Sequence, residues 1–182
     1  SNFNEIISED YGDFAIFGNS TLYEEEEPED IVTFSVRPPS EIYFLVNHRG
    51  KIDTVYREFT FSARQAYQKW GKNAGQKVLD LLAAQKVEEL VKFLHIVLPR
   101  EDRDVRKRDA RNMPYASLYI EPQHKKILSE GGYDEFPFFI GRAYKVSDSE
   151  YAYSPASLAL ADIKMLNTMS RDILEAGQKT LH

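Results

Sequence analysis

The sequence contains no cysteine. That removes disulfides, thiolate zinc sites and cysteine nucleophiles together, and it suits a reducing compartment. No run of about 18 apolar residues occurs, so no transmembrane helix is expected. No basic stretch followed by an apolar one opens the chain, so no secretory leader is expected either. The chain begins Ser-Asn-Phe without Met, as a trimmed tag or an excised segment would, and Ser1 and Asn2 are expected to lie outside the fold. Positive charge is scarce: 23 Lys and Arg stand against 29 Asp and Glu, a net charge of −6 and a pI near 5.3. A basic field over the whole chain, of the kind that binds nucleic acid non-specifically, is thereby excluded. Any contact with DNA must come from a local stripe, or from many copies arranged around it.

Familiar catalytic patterns are missing as well. The four histidines, His48, His95, His124 and His182, are scattered, with no H-x-x-x-H pair and no patterned carboxylate beside them. His95 lies within an apolar run and reads as a packed core residue rather than a ligand. There is no G-x-S-x-G elbow, no Walker loop and no G-x-G-x-x-G. The acidic pairs Glu88-Glu89 and Glu101-Asp102 are adjacent in sequence, so neither has catalytic geometry. No catalytic residue, metal ligand or cofactor is nominated, and the protein is not expected to be an enzyme.

What is present suits a globular domain: 42% hydrophobic, 13% aromatic and 29% charged residues in 182. A domain of this length buries roughly 70% of its unfolded-chain surface, enough for a core. Phe3, Ile6, Ile7, Phe14 and Phe17 fall at helical spacing, with Gly18-Asn19 as the stop. "STLYEEE" reads as a short strand, and the run Glu24 to Asp30, broken by Pro28, as a solvated loop rather than a metal or partner site. "IVTFSVR", "EIYFLVN" and "KIDTVYREF" are strand-like and predict a small antiparallel meander, with Pro38-Pro39 and Asn47 to Gly50 at its turns. "FSARQAYQKWG" switches to helical spacing, with Thr60 or Ser62 as cap and Gly71 as stop. "GQKVLDLLAAQKVEEL" gives one or two further helices, and "VKFLHIVLP" returns to strand. "REDRDVRKRDAR" reads as an exposed loop. Its basic cluster, Arg106, Lys107, Arg108 and Arg111, is of a kind that grips phosphate but is diluted by interleaved acids. "PYASLYIEP" and "HKKILSEGG" form a hairpin, and "EFPFFIGRAYKV" one more strand. The order predicts an α+β fold, antiparallel sheet packed with helices, over 3–153.

The segment 154–182 is a long terminal helix. Ser154 is placed to cap it and Pro155 occupies the first helical position, where its missing N–H is harmless. Up to Lys179 it spans roughly 36 Å. Ala159, Ile163, Leu166 and Ile173 mark one face, widened by Leu158, Met165 and Met169. Lys164, Thr168, Arg171, Glu175 and Lys179 form a polar stripe opposite. That pattern fits an ordinary amphipathic helix with a wet side. It also fits a helix packed against copies of itself in a ring, its wet side facing a channel.

Longer matches favour the second. "GGYDEFPFFIGR" carries a Gly-Tyr, Phe-Pro, Arg order. "YAYSPASLALADIKMLNTM" carries a Tyr-x-x-Ser-Pro entry to a helix with Asp-Ile-Lys and Leu-Asn. "NHRGKIDTVYREFTFSARQAYQKWG" joins a Gly-x-x-Asp-x-x-Tyr-Arg strand to a helix with Arg-Gln, and "FAIFGNSTLYEEE" leads from helix to strand. In these segments, in order and across nearly the whole chain, the sequence resembles the head-to-tail connecting (portal) proteins of short-tailed bacteriophages. It departs from their pattern at Ala152, where Gly is usual, and after Arg142, where Ala143-Tyr144 replaces Trp. The resemblance implies a subunit of a dodecameric ring at one capsid vertex, present in the virion and in the host cytoplasm during assembly. Terminase would drive double-stranded DNA through that ring, and capsid and tail proteins would join it. It implies an internal piece of a longer protein, most of a wing with the start of a stem. The five stripe residues would then face the DNA channel or a neighbouring subunit, with no membrane involved. Two other classes stand beside this reading: a non-catalytic module that docks a partner through the helix, and a hydrolase or nuclease with an unrecognised site, marked by divalent-metal binding or a cleft of perturbed carboxylates.

Overall fold

The computed structural model describes residues 2–26, 32–107, 109–146 and 149–180. Glu27 to Asp30 of the acidic run, Arg108 of the basic cluster and His182 lie outside them. Among the described residues the fold is mixed α+β: four α-helices, the last of them long, and antiparallel open sheets.

Helix α1 (Phe3–Phe17) ends as its sequence requires. Gly18 takes a left-handed φ of +77° and its N–H donates to the Phe14 carbonyl. Asn2, expected outside the fold, is part of it. Its amide donates to the Phe34 carbonyl (2.9 Å) while its Oδ1 accepts from the Phe34 N–H (3.0 Å), pinning the start of α1 to a strand. Strand β1 (Asn19–Glu25) continues through Glu24 and Glu25, which pair with Phe34 and Thr33. Both acids are thus strand, as in the reading of "STLYEEE": the backbone ladder holds them, and the alternation of the strand turns their side chains to opposite faces.

Strand β2 (Thr33–Val36) pairs with β1 rather than joining the expected meander. The physical reason is Pro38-Pro39, which offers no N–H to a ladder. The chain passes through a 3-10 turn at Pro39–Glu41 before β3 (Ile42–Val46) starts a second sheet with β4 (Ile52–Ser62). Ser62 caps α2 (Ala63–Trp70) in a reciprocal box with Gln65, and α3 (Gln76–Ala83) is the single helix of the next segment. Strands β5 (Leu90–Pro99), β6 (Tyr115–Glu121) and β7 (Lys126–Tyr133) complete a five-stranded antiparallel sheet in the order β3-β4-β5-β6-β7. The last strand read from sequence divides in two. Strand β8 (Phe138–Arg142) pairs with β1, and β9 (Tyr144–Lys145) pairs with β10 (Ala152–Tyr153) just before helix α4 (Pro155–Thr180). Gly141 lies so close to Ser20 and Phe14 that an added Cβ would stand 2.8 Å from the Ser20 hydroxyl.

One face of the five-stranded sheet carries two lids. Helices α2 and α3 cover Phe59, Val91, Phe93 and Leu128 with Ala63, Ala66 and Val78. The sheet β2-β1-β8 covers Phe44, Val55 and Val97 with Tyr23 and Phe138. Between these apolar clusters the register places Arg57, His95 and Tyr119 side by side. His95 is 1% exposed, hydrogen-bonded to Ser117 Oγ (3.0 Å) and stacked 4.1 Å from the Tyr119 ring. It is a core residue, as its apolar context indicated.

Burial, then the charges of Lys69, Arg57 and Arg37, push the His95 pKa down to about 3. The unfolded chain therefore binds a proton at His95 that the folded chain refuses between about pH 6.5 and 3. The associated stability is complete above the unfolded value and is lost as pH falls toward the folded one. Roughly 3–5 kcal/mol should disappear across that window. Urea unfolding from pH 7 to 4 measures it, and His95→Gln should flatten the slope.

Candidate functional site

The site begins where α4 leaves the body. Gly18 is packed against the chain entering α4, and a Cβ built on it would lie 2.5 Å from both the Ser154 nitrogen and the Tyr153 carbonyl carbon. Asn19 clamps the same point: its amide donates to the Ala152 carbonyl (3.2 Å) and its Oδ1 accepts from the Ala152 N–H (3.0 Å). Ala152, at a position read as favouring Gly, thus sits in ordinary extended pairing with Lys145. Arg142 reaches the Glu150 carbonyl at 3.4 Å and its carboxylate at 3.7 Å. Ser154 Oγ accepts from the Ser157 N–H at 2.8 Å, which is the cap read from sequence. The root is held by four elements, and α1 packs on α4 beside it.

From this root α4 runs 26 residues, about 39 Å. Lys164, Thr168, Arg171, Glu175 and Lys179 are all exposed and lie within an arc of about 80°. Thr168 Oγ1 donates to the Lys164 carbonyl (3.0 Å), and Arg171 Nε lies 3.7 Å from Glu175 Oε1. That exposed pair contributes little stability and partly offsets the Arg171 charge. The structure therefore brings the five residues onto one helix face. The opposite side is uncovered too: Leu158, Met165, Leu166 and Met169 are exposed, as are Ile173 at 71% and Leu174 at 68%. Such a length of exposed apolar side chains marks a contact surface rather than ordinary wet helix. Leu160, also exposed, lies on the stripe side and narrows the polar face.

The root escaped the sequence reading, apart from the Gly18-Asn19 stop and the Ser154-Pro155 cap. Glu24, Glu25 and Glu26 share an open cleft of about 520 Å³ with Asp134 and Glu135. Among the described residues no three His, Asp or Glu are arranged to hold a metal, and no helix is long and apolar enough to cross a membrane. The loop bearing Arg106, Lys107 and Arg111 is exposed, with Lys107 3.8 Å from Asp104 and Arg111 3.6 Å from Glu130.

Comparison with known proteins gives concordant matches. The sequence model described as "Bacteriophage head to tail connecting protein" matches residues 1–182. The "Portal protein" of Salmonella phage epsilon15 is 31% identical over 170 residues, covering 91% of this chain and 31% of that protein. The "Probable portal protein" of Bordetella phage BPP-1 is 30% identical over 169 residues, covering 91% of this chain and 30% of that protein. The chain spans about a third of the length of these relatives.

Proposed function

The chain belongs to the bacteriophage head to tail connecting protein family, and from that premise we propose that it is part of a portal ring subunit at the capsid vertex of a virion. In this reading 3–153 is a wing-like body and 154–182 the start of a stem. The apolar side of α4 packs against neighbouring copies and its polar stripe turns toward a channel for double-stranded DNA. The observation that carries the proposal is α4 itself, rooted at four elements yet uncovered on both its apolar and polar sides. Head-to-tail repetition of one such contact closes a ring when the rotation per subunit divides a full turn, and twelve copies is the expected number.

The channel role makes a physical demand that the stripe meets. Duplex DNA presents a negative charge every ~1.7 Å, hence about 20 phosphates along the length of α4. A wall that must let DNA slide needs few, weak phosphate contacts and no base readout. Lys164, Arg171 and Lys179, diluted by Thr168 and Glu175, are sparse cations of that kind. Terminase, capsid and tail proteins are the partners the reading implies, first in the host cytoplasm and then in the virion. The role is structural, with no catalytic step assigned to the chain. Docking of an unrelated partner on α4 is less favoured, because family membership already calls for copies of the same chain.

Lys164→Glu, Arg171→Glu and Lys179→Glu combined in the full-length protein should leave ring assembly intact. The count of DNA-filled particles should fall at least about tenfold, because each stripe then repels the phosphates it formerly held. Counting filled and empty capsids by electron microscopy reads this out. Unchanged filling would remove the channel role from this face.

A further inference from the structure

The band between the two lids contains more positive charge than it can balance. Arg57 rises from β4, Lys69 from α2 and Arg37 from the end of β2, close enough that each weakens the charged state of a neighbour. Arg57 is answered by Glu41, 2.8 Å from its Nε. Arg37 and Lys69 share only Glu25, and among the described residues no carboxylate lies within ion-pair distance of either. Among the described residues three cations thus meet two carboxylates across this band. Burial holds Arg37 and Lys69 below their usual pKa, with Glu25 opposing the shift in both.

Donors are left over as well. The Nε of Arg37 is buried without a hydrogen-bond partner, and its guanidinium lies 4.9 Å from the centre of the Tyr23 ring. Lys69 Nζ lies 4.5 Å from the centre of the Tyr119 ring and donates to its hydroxyl at 3.4 Å, a long bond that spends one of three N–H groups. The hydroxyl of Tyr23 lies 2.7 Å from that of Tyr133. A buried donor with no partner is costly and is rare in a finished core. Lys69 itself is exposed, so the band reaches solvent at the end of α2.

We propose that this cationic band binds a small tetrahedral oxyanion of the phosphate class, held between Lys69 and Arg37 with the Tyr119 hydroxyl as a third donor. An ammonium on one side and a planar fork on the other approach a ligand from directions that are not coplanar. A tetrahedral anion accepts from such directions, whereas a planar carboxylate satisfies one fork. The ligand's charge cancels the excess left after Glu25 and Glu41. The site is separate from the stripe on α4 and does not depend on the ring.

Titration calorimetry of the whole chain with inorganic phosphate, at constant ionic strength, tests it. Saturable binding of one phosphate per chain is expected. Lys69→Gln, an exposed change that leaves the core intact, should weaken it about tenfold or more. Arg37→Gln should do the same where it folds, and circular dichroism checks that it does. The triple charge reversal on α4 should bind phosphate as well as the parent chain. Absence of saturable binding, an unchanged affinity in Lys69→Gln, or a short DNA duplex displacing the phosphate would each overturn the proposal.

Discussion

Gly18→Ala should be among the most damaging single substitutions in the chain, lowering stability by about 2–5 kcal/mol. Two independent penalties coincide there. The residue holds φ +77°, which a Cβ disfavours, and that Cβ would press on the backbone of Tyr153 and Ser154 at 2.5 Å. Backbone cannot rotate aside as a side chain can, so α1 or the entrance to α4 must move. The Asn19 clamp on Ala152 and the Ser154 cap would be strained together. Urea unfolding should show a lower midpoint. Proteolysis should show early cleavage near 150–155 while the five-stranded sheet stays resistant, because the damage concentrates at the root. A variant as stable and as protected as the parent would mean that Gly18 does not fix the departure of α4.

Gly75→Ala should cost about 2–4 kcal/mol by a different route. Gly75 precedes α3 at φ +96° and ψ 153°, a region open essentially to glycine alone. Its missing Cβ leaves room for the carboxylate of Glu121, whose Oε2 an added methyl would strike. Glu121 is fully buried, with Oε1 3.2 Å from His124 Nδ1. Its charge sits at the N-terminal end of α3, where the helix dipole favours it. Moving that carboxylate disturbs both the turn after β6 and the start of α3. Adding Glu121→Ala should relieve the steric part and leave the backbone part. The double mutant should then lose about 1–2 kcal/mol less than the sum of the single losses. Strict additivity in thermal or urea unfolding would show that the two residues do not press on each other.

Local chemistry made the helices readable from sequence. Ser62 and Ser154 carry cap hydroxyls, Gly18 and Gly71 supply stops, and the 3.6-residue period of α4 is plain. His95 could be assigned to the core because apolar residues surround it in sequence. Sheet membership was not legible, because pairing is decided by partners far along the chain. β2 looks no different from β3, yet the prolines between them send it to the free edge of β1. Glu24 and Glu25 fall in both the strand read from "STLYEEE" and the loop read from the acidic run, and only the ladder to β2 decides for the strand. Asn2 could not be placed until Phe34 was seen opposite it. The cationic band is the extreme case, since Arg37, Arg57 and Lys69 come from three elements and no spacing announces them. The polar stripe was fully legible as a face. Its role was not, because the same spacing describes any wet side of a helix until the apolar side is seen to be uncovered.

The central claim is that α4 is built to be covered by copies of its own chain. Native mass spectrometry across a range of protein concentrations tests it most directly, alongside an Ile163→Asp, Leu166→Asp, Ile173→Asp variant. The parent should populate one discrete ring mass as concentration rises, and the variant, folded by circular dichroism, should remain monomeric. A parent that stays monomeric at every concentration, or a variant that assembles equally well, would contradict it.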